Sequence, residues 1–364
     1  MGLSPQDYAD LFSSAIADHG KGVVEDIAMP LQEYVAYGIM TGKGQIEKYN
    51  SEGPYIRRHV RLNGQGNAVW TDLYDSDSLA NTNMMAEINT QYKYAKTGYM
   101  YDLRERDINL DTPGAVVYDL IKVKRQAAFC DQASNFEEAF WDCPDAITSK
   151  KLLGLAYWLA YNATVGFTGS NPSGSFSNVG GLDPSLSANA AWRNWSGNYS
   201  EATATDLVRK MRQAYMKTAF KNPEQMVGSV TSPTRKLGIY TTYPVIQKLE
   251  ELMELRDDNL GGDLAMKDGT LKFRGVPINW VPQLDTRWGE GSESLTLSAG
   301  AHPVFGVDWS TFKLLTRPSW WMKESNRLSP ENHNIMNFWV DSQLQLFCQN
   351  RRRNFLLARS ALLT

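Results

Sequence analysis

The chain has 364 residues, of which 42% are hydrophobic and 21% charged, a globular composition that excludes wholesale disorder. A chain of this length buries roughly three quarters of the surface its unfolded form exposes, so stability requires neither disulfides nor a metal. Lys plus Arg is 37 against 40 Asp plus Glu, a net charge of −3, so the chain is no basic wrapper of nucleic acid and any DNA contact is local.

From the start, Met1 to His19 carries Asp7, Asp10 and Asp18 and no basic residue, unlike the positive and apolar regions of a signal peptide. No run of about 18 apolar residues occurs, so no transmembrane helix and no membrane partner are expected. Residues 4 to 19 read as a short helix, with Leu11, Phe12, Ala15 and Ile16 on one face and Ser4-Pro5 as its start signal. Residues 20 to 50 are mixed and read as an extended arm. Within them, Gly38-Ile-Met-Thr-Gly42-Lys43-Gly44 is one residue short of a phosphate loop and lacks Ser or Thr after the lysine, so a turn is the reading.

Residues 55 to 70 alternate through Ile56, Arg58, Val60 and Leu62, with a tip at Asn63–Asn67 and then Ala68-Val-Trp70. Asp72, Asp75 and Asp77 put three carboxylates close together, but the glycine and distal glutamate of a calcium loop are missing, so a solvated loop is expected. Residues 88 to 110 alternate again through Ile88, Tyr92, Tyr94, Tyr99, Tyr101 and Leu103. Two long, polar, Tyr-rich strands make a poor core and read either as a protruding hairpin that needs a partner surface or as an ordinary two-stranded excursion.

Asp111-Thr112-Pro113 starts the strongest helix, whose apolar stripe runs Val116, Leu120, Val123, Ala127, Cys130, Ala133, Phe136, Phe140 and stops before Pro144. At 1.5 Å per residue it spans about 40 Å and acts as a strut. The Gly-, Ser- and Asn-rich stretch 166 to 200 reads as loop. A helix follows at Leu207, Val208, Met211 and Tyr215, with Thr203 and Asp206 as a capping box. Leu237–Tyr240 reads as a strand, and Val245, Leu249, Leu252 and Leu255 mark the next helix. Asp268-Gly269 is a tight-turn pair before a strand from Leu271 to Trp280, interrupted by Gly275 and Pro277. Val304 to Leu315 and Ile335 to Leu357 read as strands with short breaks.

Catalytic signals are weak throughout. The histidines are His19, His59, His302 and His333, scattered and in no metal-binding pattern, and neither CxxC nor GxSxG occurs. Cys130, Cys143 and Cys348 are odd in number and widely spaced, which argues against a disulfide framework and fits a reducing compartment. No catalytic residue, cofactor or metal ligand is singled out. The 11 Trp and 17 Tyr are a generous supply of the side chains that self-associating surfaces use.

Thr203 to Leu314 resembles the major capsid proteins of tailed bacteriophages. The resemblance rests on Leu237-Gly-Ile-Tyr240 followed by a helix, on Lys272-Phe-Arg-Gly-Val-Pro-Ile-Asn-Trp-Val-Pro-Gln-Leu-Asp285, and on Val304-Phe-Gly-Val-Asp-Trp309. The order of parts is similar to the Hong Kong 97-like fold, which implies an α+β architecture with an N-terminal arm, an extended β-hairpin loop, a long spine helix, and peripheral and axial domains. Carried over by position, residues 1–48 are the arm and 49–107 the extended loop. Residues 108–149 hold the peripheral domain with its spine helix, 150–308 are the axial domain, and 309–364 are strands returning to the peripheral sheet.

That resemblance implies homo-hexamers and homo-pentamers forming an icosahedral shell, a virion location after assembly in the host cytoplasm, a portal, and double-stranded DNA against the inner face. No scaffolding segment precedes the arm in this sequence, so a separate scaffolding protein is expected. Tyr92, Tyr94, Tyr99, Tyr101 and Trp70 are the expected subunit contacts; Trp320-Trp321 packs either at a contact or inside the subunit. Arg351, Arg352 and Arg353 face DNA or form a solvated strand end. Some relatives crosslink through a Lys–Asn bond; Lys93 and Lys96 lie on the expected loop, but no Asn or Glu partner is identified. Two other readings stay open: a nanocompartment shell of encapsulin type, and an α/β enzyme using carboxylates in the Gly/Ser-rich region.

Overall fold

The computed structural model describes residues 34–42, 44–49, 53–62, 67, 69–74, 76, 85–102, 120–219, 235–254, 271–289, 300–328 and 335–362. The expected helix at 4–19, Lys43, most of the 63–67 tip, Asp75, Asp77, Leu103, the 111–113 helix start, Leu255 and the Asp268-Gly269 turn lie outside the described residues.

In chain order the elements are α1 (Val35–Thr41), β1 (Ile46–Lys48), β2 (Tyr55–Arg61), β3 (Met85–Gln91), β4 (Lys93–Asp102), α2 (Leu120–Trp141) and α3 (Leu155–Trp158). Next come β5 (Gly166–Gly169), a 3-10 turn at Ser187–Trp192, β6 (Asn194–Asn198), α4 (Leu207–Lys217), β7 (Leu237–Thr241) and α5 (Tyr243–Glu254). The chain ends through β8 (Lys272–Phe273), β9 (Val276–Trp280), α6 (Pro282–Trp288), β10 (Val304–Asp308), β11 (Phe312–Thr316), β12 (Lys323–Leu328), β13 (Ile335–Cys348), a 3-10 turn at Arg351–Arg353, and β14 (Phe355–Ala358).

The described residues fall into two compact units, one holding 95–102, 120–134, 322–328 and 335–342, the other holding the rest. Strand pairing, not chain order, decides which segments pack together. In the first unit β12 pairs antiparallel with β13, Lys323 opposite Asp341 and Leu328 opposite Met336, and β4 also pairs with β13. Tyr99 of β4 stacks on Phe338 at 5.0 Å, and Gln132 donates to Ser342 Oγ at 3.1 Å.

The second unit is built on a seven-stranded sheet, ordered β5-β6-β14-β10-β7-β9-β8. β14 lies between β6, to which it is parallel, and β10, to which it is antiparallel. The expectation that all of 309–364 returns to one other sheet is therefore corrected for β14. Its residues Phe355-Leu-Leu-Ala358 are all buried, and a strand apolar on both faces is stable only where both faces are covered. β11 and β13, in contrast, pair with each other, Phe312 opposite Cys348 and Thr316 opposite Leu344, and β1 adds in parallel beside β11. In β10, Gly306 faces Phe355, and a Cβ there would sit inside the Phe355 ring, so glycine is the residue that lets the two strands close.

α4 and α5 lay their apolar stripes on this sheet. Leu207, Met211, Ala214, Val245 and Leu249 join Ile239, Ile278, Phe355 and Leu357 in one buried cluster. The expected capping box is rearranged: Thr203 Oγ1 accepts from the Asp206 N–H at 3.3 Å, while the Asp206 carboxylate accepts from the Ser200 and Glu201 amides. A second, aromatic cluster joins Trp141 to Tyr240 and Phe305, and Trp309 donates to the Tyr240 hydroxyl at 2.7 Å.

α2 has 22 described residues and spans about 33 Å at 1.5 Å per residue. Its buried face differs from the expected stripe. Ala127 is exposed and Ala128 buried, and the buried face includes two polar residues, Gln132 and Glu137. Glu137 explains its own place: its carboxylate accepts from the amides of Ala36 at 3.1 Å and Tyr37 at 2.6 Å, and from Trp141 Nε1 at 2.7 Å. It thereby satisfies orphan donors in the first turn of α1.

Burial pushes the Glu137 carboxyl above its ordinary range, against the pull of those hydrogen bonds. The folded state therefore holds this proton to higher pH than the unfolded chain does. Its contribution to stability is present below the ordinary glutamate range and is lost as pH rises to the native value. Chemical unfolding across mildly acidic pH is expected to show that slope, and Glu137→Gln to flatten it. Glu137→Ala, which strands three donors in or beside the core, is expected to cost about 3 kcal/mol; an unchanged midpoint would contradict this anchoring role.

Candidate assembly interface

Within the second unit β2 and β3 form an antiparallel hairpin of their own, Tyr55 opposite Gln91 and Arg61 opposite Met85. The strands alternate, as the sequence requires of a half-covered ribbon. Ile56, Ile88 and Thr90 are buried at the base, and the alternate positions are exposed or half-buried. The ribbon is seated on its own body there. The Asn89 amide donates to Gly180 O at 2.8 Å, and Ile88 packs against Gly180. Gly180 has φ +62° and lies between Ile88 and the Trp158 ring, so both its conformation and the lack of room call for glycine.

Polar contacts complete the seat. Tyr92 donates to Tyr49 O and Tyr49 to Arg57 O, both at 2.6 Å. Arg58 pairs with Glu47, and its guanidinium lies 5.5 Å from the Tyr49 ring centre and 5.6 Å from that of Phe347. Lys93 donates to Ile147 O at 2.9 Å and Ser149 O at 2.5 Å, and burial pushes its ammonium below the ordinary range.

Beyond this seat the chain leaves apolar side chains in solvent. Relative exposure is 71% at Val69, 102% at Trp70, 89% at Leu73 and 95% at Tyr74. Four large apolar residues within six positions, all uncovered, form the clearest candidate for a surface completed by another molecule. Of the expected contact residues, Trp70 belongs to this group. The others are placed differently. Tyr92 pins the hairpin base, Tyr94 meets Trp320 edge-on at 5.7 Å, and Tyr99 is stacked on Phe338. The tyrosine-rich run is β4, paired with β13 rather than with the other arm of the hairpin, and its rings find aromatic partners within the chain. The side chain of Tyr101 lies outside the described residues. Trp321 is likewise packed inward, stacked on Phe136 at 6.0 Å. Val69 falls in the stretch that alternates as a strand, while Leu73 and Tyr74 fall in the segment read as a solvated loop, where their signal is apolar bulk beside acidic residues.

The three consecutive arginines are a structural knot. Arg351 is wholly buried and donates to Trp158 O at 2.6 Å, Trp192 O at 3.1 Å, Ser170 O at 3.1 Å and Asn194 Oδ1 at 3.0 Å. Burial pushes its guanidinium down to about 10. Arg353 pairs with buried Asp308 at 2.8 Å, and Arg352 lies 4.7 Å over the Phe167 ring. The expectation that this run faces DNA is corrected for Arg351 and Arg353, whose charges are spent on β-sheet ends inside the subunit.

In the Gly/Ser-rich region, Asp183 accepts from the Ser185 amide at 2.9 Å and from Asn171 at 3.3 Å. The hydrogen bonds from Ser185 hold its carboxyl below the usual range, which suits a turn-forming carboxylate rather than a proton carrier. Among the described residues no group of three His, Cys, Asp or Glu is placed to hold a metal, and no helix is long and apolar enough to cross a membrane.

No protein-family model and no curated protein matches the sequence. Solved structures do match along almost the whole chain. The capsid of cyanophage A-1(L) matches at a TM-score of 0.59 and 13% identity, over 94% of this chain and 97% of that one. The capsid of the native GTA particle matches at 0.59 and 10%, over 95% and 99%. The chain has the Hong Kong 97-like capsid fold. The same fold brings a likeness to the holo-SrpI encapsulin of Synechococcus elongatus, at a TM-score of 0.52 and 8% identity, over 100% and 98% of the two chains.

Arg351→Lys keeps the charge but not the planar fork that reaches four separate oxygens. It is expected to destabilise the chain by about 3 kcal/mol, and Arg351→Met by at least as much. Denaturant unfolding checks this; variants of wild-type stability with weakened DNA binding would restore the DNA-facing assignment.

Proposed function

We propose that the chain is the major shell subunit of a phage head, assembling as homo-hexamers and homo-pentamers into an icosahedral capsid around double-stranded DNA. The carrying observation is the joint presence of the capsid fold over nearly the full chain and a seated hairpin whose far segment holds Val69, Trp70, Leu73 and Tyr74 in solvent. A stable interface commonly buries about 1,600 Å², and a shell multiplies modest contacts by engaging each copy with several neighbours. In this reading residues 1–48 are the arm, the hairpin within 49–107 is the extended loop, α2 is the spine helix, and the seven-stranded sheet carries the axial domain. Trp70 and its three neighbours bear the subunit contact.

The reading includes a virion location, assembly in the host cytoplasm, a separate scaffolding protein, and a portal. It assigns the chain no catalysis. A second reading, a nanocompartment shell that encloses protein cargo, is supported by the likeness to the encapsulin structure.

Negative-stain microscopy of the purified chain is expected to show shells, or hexameric and pentameric rings. Their contents decide between the two readings: nucleic acid for a head, protein for a compartment. Replacing Trp70, Leu73 and Tyr74 together by Ser is expected to abolish shells while moving the unfolding free energy of the subunit by no more than about 0.5 kcal/mol. Small discrete particles from the wild-type chain, or normal shells from the triple variant, would count against the proposal.

A further inference from the structure

A groove of about 430 Å³ opens in the second unit between α4, α5 and the β8–β9 turn. Its volume lies in the range of formed ligand pockets, about 300–1,000 Å³. Val208, Met211, Leu249, Leu252, Phe273 and Ile278 make its wall apolar. Among the described residues of the lining the charged ones are Arg212, Lys272 and Arg274, with no carboxylate. Arg274 is held at the rim rather than left to swing. Its backbone has φ +51°, its guanidinium lies 5.6 Å from the Tyr215 ring centre, and Nη1 is 3.1 Å from Met216 Sδ. Met253, which also lines the groove, is 45% exposed, and an exposed methionine suits a surface that remoulds around a guest.

An apolar trough between two helices with a cationic rim calls for an amphipathic helix with acidic flanks. The chain itself contains that sequence, outside the described residues. Residues 4–19 carry Leu11, Phe12, Ala15 and Ile16 at helical spacing, together with Asp7, Asp10 and Asp18, and no Lys or Arg precedes Lys21. The stripe matches the trough in polarity, and the aspartates match the positive charge of Arg212 and Arg274. We infer that the groove receives residues 4–19 of a second copy, the stripe in the trough and the aspartates at the Arg212 and Arg274 rim. The inference rests on the shell reading only in that a shell supplies neighbouring copies at high local concentration.

The test uses the full-length chain carrying Phe12→Cys and Val208→Cys, oxidised mildly under assembly conditions and run on a denaturing gel without reductant. A ladder of covalent multiples is expected in the double variant and in neither single variant. Adding Arg212→Glu and Arg274→Glu is expected to lower the ladder yield about tenfold at about 0.1 M salt, and further adding Asp7→Lys and Asp10→Lys to restore it. No ladder, a disulfide closed within one chain, or a yield indifferent to both charge reversals overturns the inference. If the cysteine variants do not fold, a fluorescein-labelled peptide of residues 4–19 is titrated into the wild-type full-length chain. Saturable binding that weakens about tenfold with Asp7→Lys and Asp10→Lys in the peptide supports the groove; no binding, or equal binding by both peptides, overturns it. Shells without a ladder refute the groove and leave the shell reading standing. A ladder without shells does the reverse.

Discussion

Apolar surface has to be covered, and this chain divides that task between its own core and surfaces it leaves open. Inside, the requirement is met closely. β14 is apolar on both faces and lies in the middle of the seven-stranded sheet, with α4 and α5 contributing to the same buried cluster. Arg351 ties four chain oxygens together beside that strand, so even a buried cation serves to close it. At the hairpin the same requirement is met only halfway. Ile56 and Ile88 are covered by the body, and the segment from Val69 to Tyr74 is not. A ribbon fixed at its root and apolar at its far segment suits a protein completed by its copies.

Much of the fold was legible in the sequence because periodicity carries it. The α4 and α5 stripes, the β10 and β14 runs and the alternating hairpin strands each announce how many of their faces are covered. Pairing partners were not legible. Tyr94 and Tyr99 alternate correctly for a strand, but nothing local says that Phe338 or Trp320 waits across the sheet. Nor does the α2 pattern reveal Glu137, since a carboxylate on a buried face reads as an error until the amides of Ala36 and Tyr37 are seen to need it. The arginine run misleads for the same reason: three adjacent cations look solvated, whereas two of them complete hydrogen bonds and an ion pair set by residues about 160 and 45 positions away. Leu73 and Tyr74 carry a signal of another kind, apolar bulk without any period, and both side chains lie in solvent.

The same division bears on function. Among the described residues, Asp183 shapes a turn, Asp308 holds Arg353, and the Cys143 and Cys348 thiols are pushed up to about 12 by burial. Val69, Trp70, Leu73 and Tyr74, in contrast, present apolar area to solvent. A cationic-rimmed groove between α4 and α5 and an acidic, apolar leading segment extend that theme from the hairpin to the other end of the chain.

Hydroxyl-radical footprinting of the Trp70, Leu73 and Tyr74 side chains, before and after assembly, addresses the division most directly. These side chains should oxidise readily in the free subunit and become protected in the assembled particle, while Ile56 and Ile88 stay protected in both. Protection of all five in the free subunit would mean that the chain covers its own apolar surface, and equal oxidation of the three in both states would mean that no copy covers it; either result contradicts a shell built on these contacts.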